Sequence, residues 1–144
     1  MMIIRLQPKH GLPVAVAICS CFVTAWASAG VMRARKKYAI EYPTMYADKS
    51  NPNADAFNCY QRAHQNVLEN FPQFIILLAL GAVHRPIAAA VAGAVRLGGV
   101  IVYVINYQTG DPAKRVKGNF GYAGLVSLLV MSTELSIRML ASSP

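Results

Sequence analysis

The sequence predicts an all-α integral membrane protein, with four helices in one domain that spans residues 1–144. Of these 144 residues, 55% are hydrophobic and only 14% are charged, which is too apolar for an ordinary soluble domain. Four apolar stretches, at about 11–32, 57–83, 86–107 and 120–140, are each long enough to cross a bilayer, because a spanning helix needs roughly 20 residues. The chain length suits one small four-helix bundle rather than two domains.

The first apolar stretch also has features of a secretory signal. Basic Arg5 and Lys9 precede it, and Ala27-Ser28-Ala29 resembles a cleavage site. Its apolar run is longer than the core of a typical signal peptide. We therefore expect an uncleaved membrane anchor.

The three connections between the stretches differ in length. Residues 33–56 are predicted to form a long polar loop, because Pro43 and Pro52 oppose a continuous helix. Residues 84–85 form a tight turn, and residues 108–119 form a second polar loop.

Basic residues are concentrated in the two long connections. The net charge of +8 could indicate nucleic acid binding, but this clustering is typical of membrane topology signals. Eight basic residues lie in the first and third connections: Arg33, Arg35, Lys36, Lys37, Lys49, Lys114, Arg115 and Lys117. The tails and the second turn carry only Arg5, Lys9, Arg85 and Arg138. We expect both basic loops on the cytosolic side, both termini on the opposite side, and membrane lipid rather than nucleic acid as a partner.

A polar stripe begins the second span. Arg62, Asn66 and Glu69 follow i, i+4, i+7 spacing and share one helix face. Such a stripe is very unfavourable against lipid, so it must face protein, water or a ligand. One interpretation is a structural cluster in which Arg62 pairs with Glu69 and Asn66 bridges helices. The other is a cradle for a zwitterionic ligand, with Arg62 binding a carboxylate and Glu69 an ammonium group.

Further polar residues lie in and after the third span. Tyr103 and Tyr107, four residues apart, share a face at its end, which alone is also typical of an interfacial aromatic belt. Arg96 lies nearer the middle, and we expect it to pair with Glu134 of the fourth span, which would otherwise have no partner. No cluster of histidine and cysteine predicts a metal site.

Several of these motifs together resemble one family. ARKKYAIEYPTMYA (34–47), FNCYQRAHQN (57–66) and TGDPAKRVKG (109–118), with the polar stripe and the tyrosine pair, resemble the membrane-associated proteins of eicosanoid and glutathione metabolism, known as MAPEG. Within that family they are most similar to the type 3 microsomal glutathione S-transferases. The resemblance covers about residues 34–118, and the outer spans match only in hydropathy.

The resemblance implies a site as well as a fold. Family members are four-helix membrane proteins that form trimers and bind glutathione between subunits near the cytosolic face. The positions expected to hold glutathione from one subunit are Arg62, Asn66, Glu69, Tyr103 and Tyr107. Arg35 and His64 would contribute from the neighbouring subunit. The thiol-activating arginine falls at Arg115 or Lys114, and we prefer Arg115, because arginine does not give up its proton to the thiolate.

The implied activity is that of a glutathione transferase or peroxidase, with glutathione as co-substrate and a lipophilic electrophile or lipid hydroperoxide as the second substrate. Two departures bear on this. Asn70 stands where leukotriene-conjugating members have a tyrosine, and Arg96 lies about a turn from the usual span arginine. Two alternatives are an accessory subunit of a larger membrane complex and a lipid-binding family member without catalysis. We expect the endoplasmic reticulum membrane, with a mitochondrial membrane as the alternative.

Overall fold

The computed structural model describes residues 6–142, and every regular element in that range is helical. The four long helices are α1 (Gly11–Tyr38), α2 (Ala54–His84), α3 (Pro86–Tyr107) and α4 (Gly121–Ala141). Each is long and apolar enough to cross a membrane, and short 3-10 turns lie at Pro8–His10 and Pro112–Gly118. The prediction of an all-α four-helix membrane bundle is confirmed.

The first connection is shorter than predicted. α1 continues through the basic run to Tyr38, and α2 begins at Ala54. Arginine and lysine are good helix formers, and their charges are favourable near a helix C-terminus. The helix ends at Ala39, which has a left-handed conformation (φ 52°) and whose N–H bonds to the Arg35 carbonyl. Only residues 39–53 remain outside the helices.

The other two connections differ in character. Arg85 separates α2 from α3, and Pro86 occupies the first position of α3, where its missing N–H costs nothing, so the predicted tight turn is confirmed. The third connection is not a simple loop as predicted. Residues Pro112–Gly118 form a 3-10 helix, and the Asp111 carboxylate accepts a hydrogen bond from the Ala113 N–H at its start.

Both long connections lie at the same end of the bundle. Gly110, just after α3, lies close to the first turn of α2: a Cβ added at Gly110 would be 3.8 Å from the Cα of Ala56. Asn58 in that turn also exchanges two hydrogen bonds with the Ala47 backbone of the first connection. The two basic segments are therefore neighbours in space.

The bundle is apolar inside and outside. Its largest core cluster joins Phe74, Leu77 and Leu78 of α2 with Ala89 of α3 and Leu128 of α4. Large side chains also cover the outer surface: Phe22 is 71% exposed, Val91 60% and Ile137 61%. Outer apolar surface of this kind is expected where lipid or another subunit replaces water.

Helices α3 and α4 approach each other through glycines. A Cβ added at Gly99 would lie 2.6 Å from the Gly121 nitrogen and 2.8 Å from the Gly118 carbonyl oxygen. Gly124 approaches the backbone of α3 beside Arg96 just as closely. Small residues let membrane helices pack backbone to backbone, and here they bring the start of α4 next to Arg96 and Tyr103.

The cysteines do not all pack in the core. Cys59 is buried, whereas Cys19 and Cys21 lie exposed on α1. Only Cys59 is therefore a packing residue of the interior.

Candidate functional site

The polar stripe of α2 contains an ion pair. Arg62 Nη1 donates to Glu69 Oε1 at 2.9 Å, and the two side chains are 43% and 44% exposed. The hydroxyl-bearing ring of Tyr46, in the first connection, lies close enough to interact with the Arg62 guanidinium. The pair is therefore formed within one chain and remains open to the surroundings.

The asparagines of α2 border the interior of the bundle. Asn66 and Asn70 line a cavity between the helices, together with Tyr103 of α3. Asn70 donates to the Asn66 carbonyl at 2.9 Å, a bond that a tyrosine at this position would not make. The predicted stripe thus has two parts: a surface pair, Arg62 and Glu69, and an inner amide, Asn66.

The tyrosine pair lies next to one of the two candidate catalytic residues. The rings of Tyr103 and Tyr107 pack edge to face, with centroids 5.4 Å apart. The Arg115 guanidinium carbon lies 5.8 Å from the Tyr107 ring centroid, and Tyr103 is within electrostatic range of both Arg62 and Arg115. The structure therefore brings Arg62, Tyr103, Tyr107 and Arg115 together from three segments of the chain.

Lys114 and Arg115 have different surroundings although they are adjacent. Arg115 Nη1 donates to the Pro112 carbonyl at 2.6 Å, which leaves other guanidinium N–H groups available. Lys114 Nζ lies 3.6 Å from Asp111 Oδ2. The lysine is thus held by a carboxylate, whereas the arginine is held only by a neutral carbonyl.

Arg35, one of the two residues expected to act from a neighbouring subunit, makes its contacts within its own chain. Arg35 donates to the backbone carbonyls of Glu41 and Thr44, at 3.3 and 2.7 Å, and stacks 4.2 Å from the Tyr42 ring centroid. These contacts hold the first connection against the end of α1. His64 is half-buried on α2.

The predicted pairing of Arg96 with Glu134 is wrong. Glu134 instead accepts hydrogen bonds from Arg85 (2.8 Å) and Arg138 (2.7 Å), and His84 Nε2 lies 3.3 Å away. This bonding raises the pKa of Arg85. Because α3 and α4 are antiparallel, Glu134 lies level with the start of α3, and Arg96 is about 16 Å further along that helix at 1.5 Å per residue.

Arg96 is buried inside the bundle. Arg96 is only 6% exposed, and its Nε has no hydrogen-bond partner among the described residues. The guanidinium carbon lies 4.9 Å from the ring centroid of Tyr122, at the start of α4. It lines the same cavity as Asn66, Asn70 and Tyr103.

Two aromatic residues near the site were not identified from the sequence. Tyr46 and Tyr122 both contact arginines of the spans, but they lie in a connection and at a helix start, where spacing carries no information. The glycines Gly118, Gly121 and Gly124 were an available signal for Tyr122, because small residues at that spacing indicate close approach to another helix.

Within residues 6–142, no group of three or more His, Cys, Asp or Glu side chains is arranged to hold a metal ion.

Comparison with protein families gives a match to the model described as the MAPEG family over residues 13–135. That match covers most of the chain, including all of α2 and α3, most of α1 and α4, and every residue expected to bind glutathione.

Proposed function

Because the chain belongs to the MAPEG family, we propose that it is a membrane-bound glutathione transferase or peroxidase that acts on lipophilic electrophiles or lipid hydroperoxides. One observation carries the proposal. An exposed ion pair, Arg62 and Glu69, lies near Tyr103, Tyr107 and Arg115 at the end of the bundle that has the two long connections. The family includes glutathione transferases and related enzymes, which agrees with that chemistry.

Glutathione binding would exchange one ion pair for two. Because Arg62 and Glu69 are both more than a third exposed, their mutual attraction contributes about 0–1 kcal/mol. The γ-glutamyl end of glutathione carries a carboxylate for Arg62 and an ammonium group for Glu69. The pair that opens is weak, so charge-assisted bonds to the ligand, each of about 1.5–3 kcal/mol once the ligand covers these groups, would replace it, and Asn66, Tyr103 and Tyr107 would supply neutral contacts.

The chemical step needs a thiolate. A free cysteine thiol has a pKa of about 8.5 and is mostly protonated at neutral pH, and a fixed cation beside the sulfur increases the ionised fraction. Arg115 is our candidate for that cation, with Lys114 as the alternative. The thiolate attacks an electrophilic carbon to form a thioether, and the electron pair of the bond that breaks there passes to a leaving group, or to an epoxide oxygen or alkene carbon that then takes up a proton. With a hydroperoxide, two glutathione molecules reduce the O–O bond to an alcohol and water and are oxidised to the disulfide.

We further propose that the site is completed in a homotrimer of single-domain, four-span subunits, with Arg35 and His64 facing the site of a neighbour. The exposed apolar surface of α1, α3 and α4 is compatible with both lipid and subunit contacts. The endoplasmic reticulum is the proposed membrane, and a mitochondrial membrane is the alternative.

A second candidate has its own support. Arg62 and Glu69 form an ion pair with each other, and Arg35 donates three hydrogen bonds within its own chain. A family member that has lost catalysis, and acts as an accessory subunit or a lipid-binding protein, would retain these internal contacts. Glutathione affinity separates the two candidates.

Arg62→Ala tests the proposal directly. Loss of a charge-assisted contact should weaken glutathione binding roughly 10- to 100-fold in calorimetry on the purified protein. Arg33→Ala, an exposed arginine on α1 at the same end of the bundle, is the matched control and should bind like the wild type. Equal affinity for wild type and Arg62→Ala would reject this site, and no binding by the wild type would favour the non-catalytic candidate.

A further inference from the structure

We propose that the cavity inside the bundle binds a small monovalent anion, either a halide or a carboxylate group, through Arg96. The cavity lies between the four helices of one chain and shares Asn66 and Tyr103 with the proposed glutathione site, but Arg96, on which this inference depends, is not part of that site. It is lined from every helix, with Ser20 of α1, Asn66 and Asn70 of α2, Arg96 and Tyr103 of α3, and Tyr122 of α4.

The first argument is charge. Arg96 is 6% exposed, and an arginine cannot be neutralised by losing its proton. All six acidic residues of the chain lie in the described part, and none forms a salt bridge with Arg96 there. Glu69, Asp111 and Glu134 pair with other basic residues. An unpaired buried charge in a membrane span is costly and is a functional-site candidate for that reason.

The second argument is the orientation of donors. Arg96 Nε is a buried donor without a partner among residues 6–142. The Tyr122 ring, 4.9 Å from the guanidinium carbon, covers one face of the cation, so hydrogen-bond acceptors must approach in its plane. Asn66 and Asn70 also lie at the cavity wall, where one Asn70 N–H is donated to the Asn66 carbonyl and the side-chain amides remain polar groups facing no carboxylate. Arg96 Nε therefore faces a cavity whose lining residues include amides but no carboxylate.

The third argument is size. The cavity offers about 30 Å³ for the centres of water-sized groups, and one bound water needs about 10–15 Å³. That space accommodates a single halide or the two oxygens of a carboxylate, and it is far too small for a tripeptide. The remaining wall is mostly apolar, with Val23, Phe71 and Phe74, which disfavours a divalent anion because more charge would lose its water.

Thermal unfolding of the full chain in a non-ionic detergent tests the proposal. Bromide and formate at constant ionic strength should raise the melting temperature saturably, by about 3–6 °C at ten times the dissociation constant. Gluconate and sulfate should not. In Arg96→Met the rise should disappear, and without added anion this variant should melt no lower than wild type, because an apolar group replaces an uncompensated charge.

Arg85→Met is the matched control, because Arg85 lies just before the start of α3 and is paired with Glu134. This variant should retain the response to bromide. Laurate distinguishes the sources of a carboxylate. A response at concentrations at least tenfold below those of formate assigns the site to the head group of an amphiphile, and an equal response assigns it to a free small anion.

Crystals of wild type grown with bromide give a test that needs no variant. An anomalous peak within hydrogen-bond distance of the Arg96 guanidinium is expected. Absence of that peak, or a bromide response that is the same in wild type and Arg96→Met, overturns the proposal and leaves a cavity that holds water.

Discussion

Arg62 and Arg96 carry the same charge in opposite surroundings. Arg62 lies near the start of α2, with its side chain 43% exposed and a carboxylate 2.9 Å away. Arg96 lies in mid-helix, buried, with an aromatic ring rather than a carboxylate beside it. An exposed pair opens at little cost, so Arg62 is suited to exchange partners with a ligand. Arg96 is buried, so it is suited to hold a compensating anion rather than to exchange it.

Arg115 should affect turnover more than binding. Its interaction is made mainly with the ionised sulfur, so Arg115→Ala should lower kcat at least about tenfold while glutathione affinity changes little. Lys114→Ala should have a much smaller effect, because the neighbouring Asp111 carboxylate partly offsets the charge of that lysine. Steady-state kinetics, combined with the ultraviolet absorbance of the glutathione thiolate, measure both quantities.

The same two measurements would also reveal outcomes that contradict this role for Arg115. An unchanged thiolate signal in Arg115→Ala would remove this residue from the mechanism. Loss of the signal only in Lys114→Ala would move the role by one residue. If neither variant alters rate, both residues act as topology signals that contact lipid head groups.

At the scale of elements, hydropathy predicted the four helices but not where α1 ends. The run of apolar residues stops near position 32, whereas helix formation continues through Arg33, Arg35 and the following lysines to Tyr38. Hydropathy measures which residues prefer lipid, and a helix does not have to end where the lipid does. The boundaries of α3 were predictable because Pro86 gives an explicit start signal.

The members of the candidate site were predictable to different degrees. Helical spacing put Arg62, Asn66 and Glu69 on one face, and the resemblance to the family added the tyrosine pair and Arg115. The partner of Arg96 was not predictable from spacing, because it depends on how far α4 is shifted along α3. The close contact of Gly99 with Gly121 sets that shift and selects Tyr122 rather than Glu134.

A methyl group at the α3–α4 contact should therefore destabilise the bundle. In Gly99→Ala the new Cβ would meet the Gly121 and Gly118 backbones, which cannot move aside as a side chain can. We expect a loss of about 1–3 kcal/mol in the free energy of unfolding, as for other overpacked sites. Gly98→Ala is the control one residue away, where only a Phe120 ring carbon lies 3.9 Å from the added Cβ.

Thermal unfolding of both variants in detergent measures the difference. Gly98→Ala should be neutral or slightly stabilising, because alanine is a better helix former than glycine. Equal melting temperatures for Gly99→Ala and wild type would mean that α3 and α4 are not packed backbone to backbone.

At the scale of the whole molecule, the distribution of charge divides the bundle into two ends. The end with both long connections carries eight basic residues, five at the end of α1 and in the first connection and three in the third connection, together with Asp111 and the candidate glutathione site. The other end carries Arg85, Glu134 and Arg138 in one hydrogen-bonded cluster, with His84 Nε2 3.3 Å from the Glu134 carboxylate. A glutathione site at the basic end is reached from the cytosol only if that end faces the cytosol, so the orientation and the proposed function are linked.

The orientation is testable by cysteine labelling in sealed vesicles of known sidedness. In a background without Cys19, Cys21 and Cys59, Ser50→Cys and Asn119→Cys should react together with a membrane-impermeant maleimide added on the cytosolic side. Both positions are exposed, in the first connection and at the end of the third. Ser142→Cys, just after α4 at the opposite end, should react only after the vesicles are permeabilised. Different accessibility of Ser50→Cys and Asn119→Cys would contradict four spans, and the reverse pattern for all three would place the candidate site on the lumenal side.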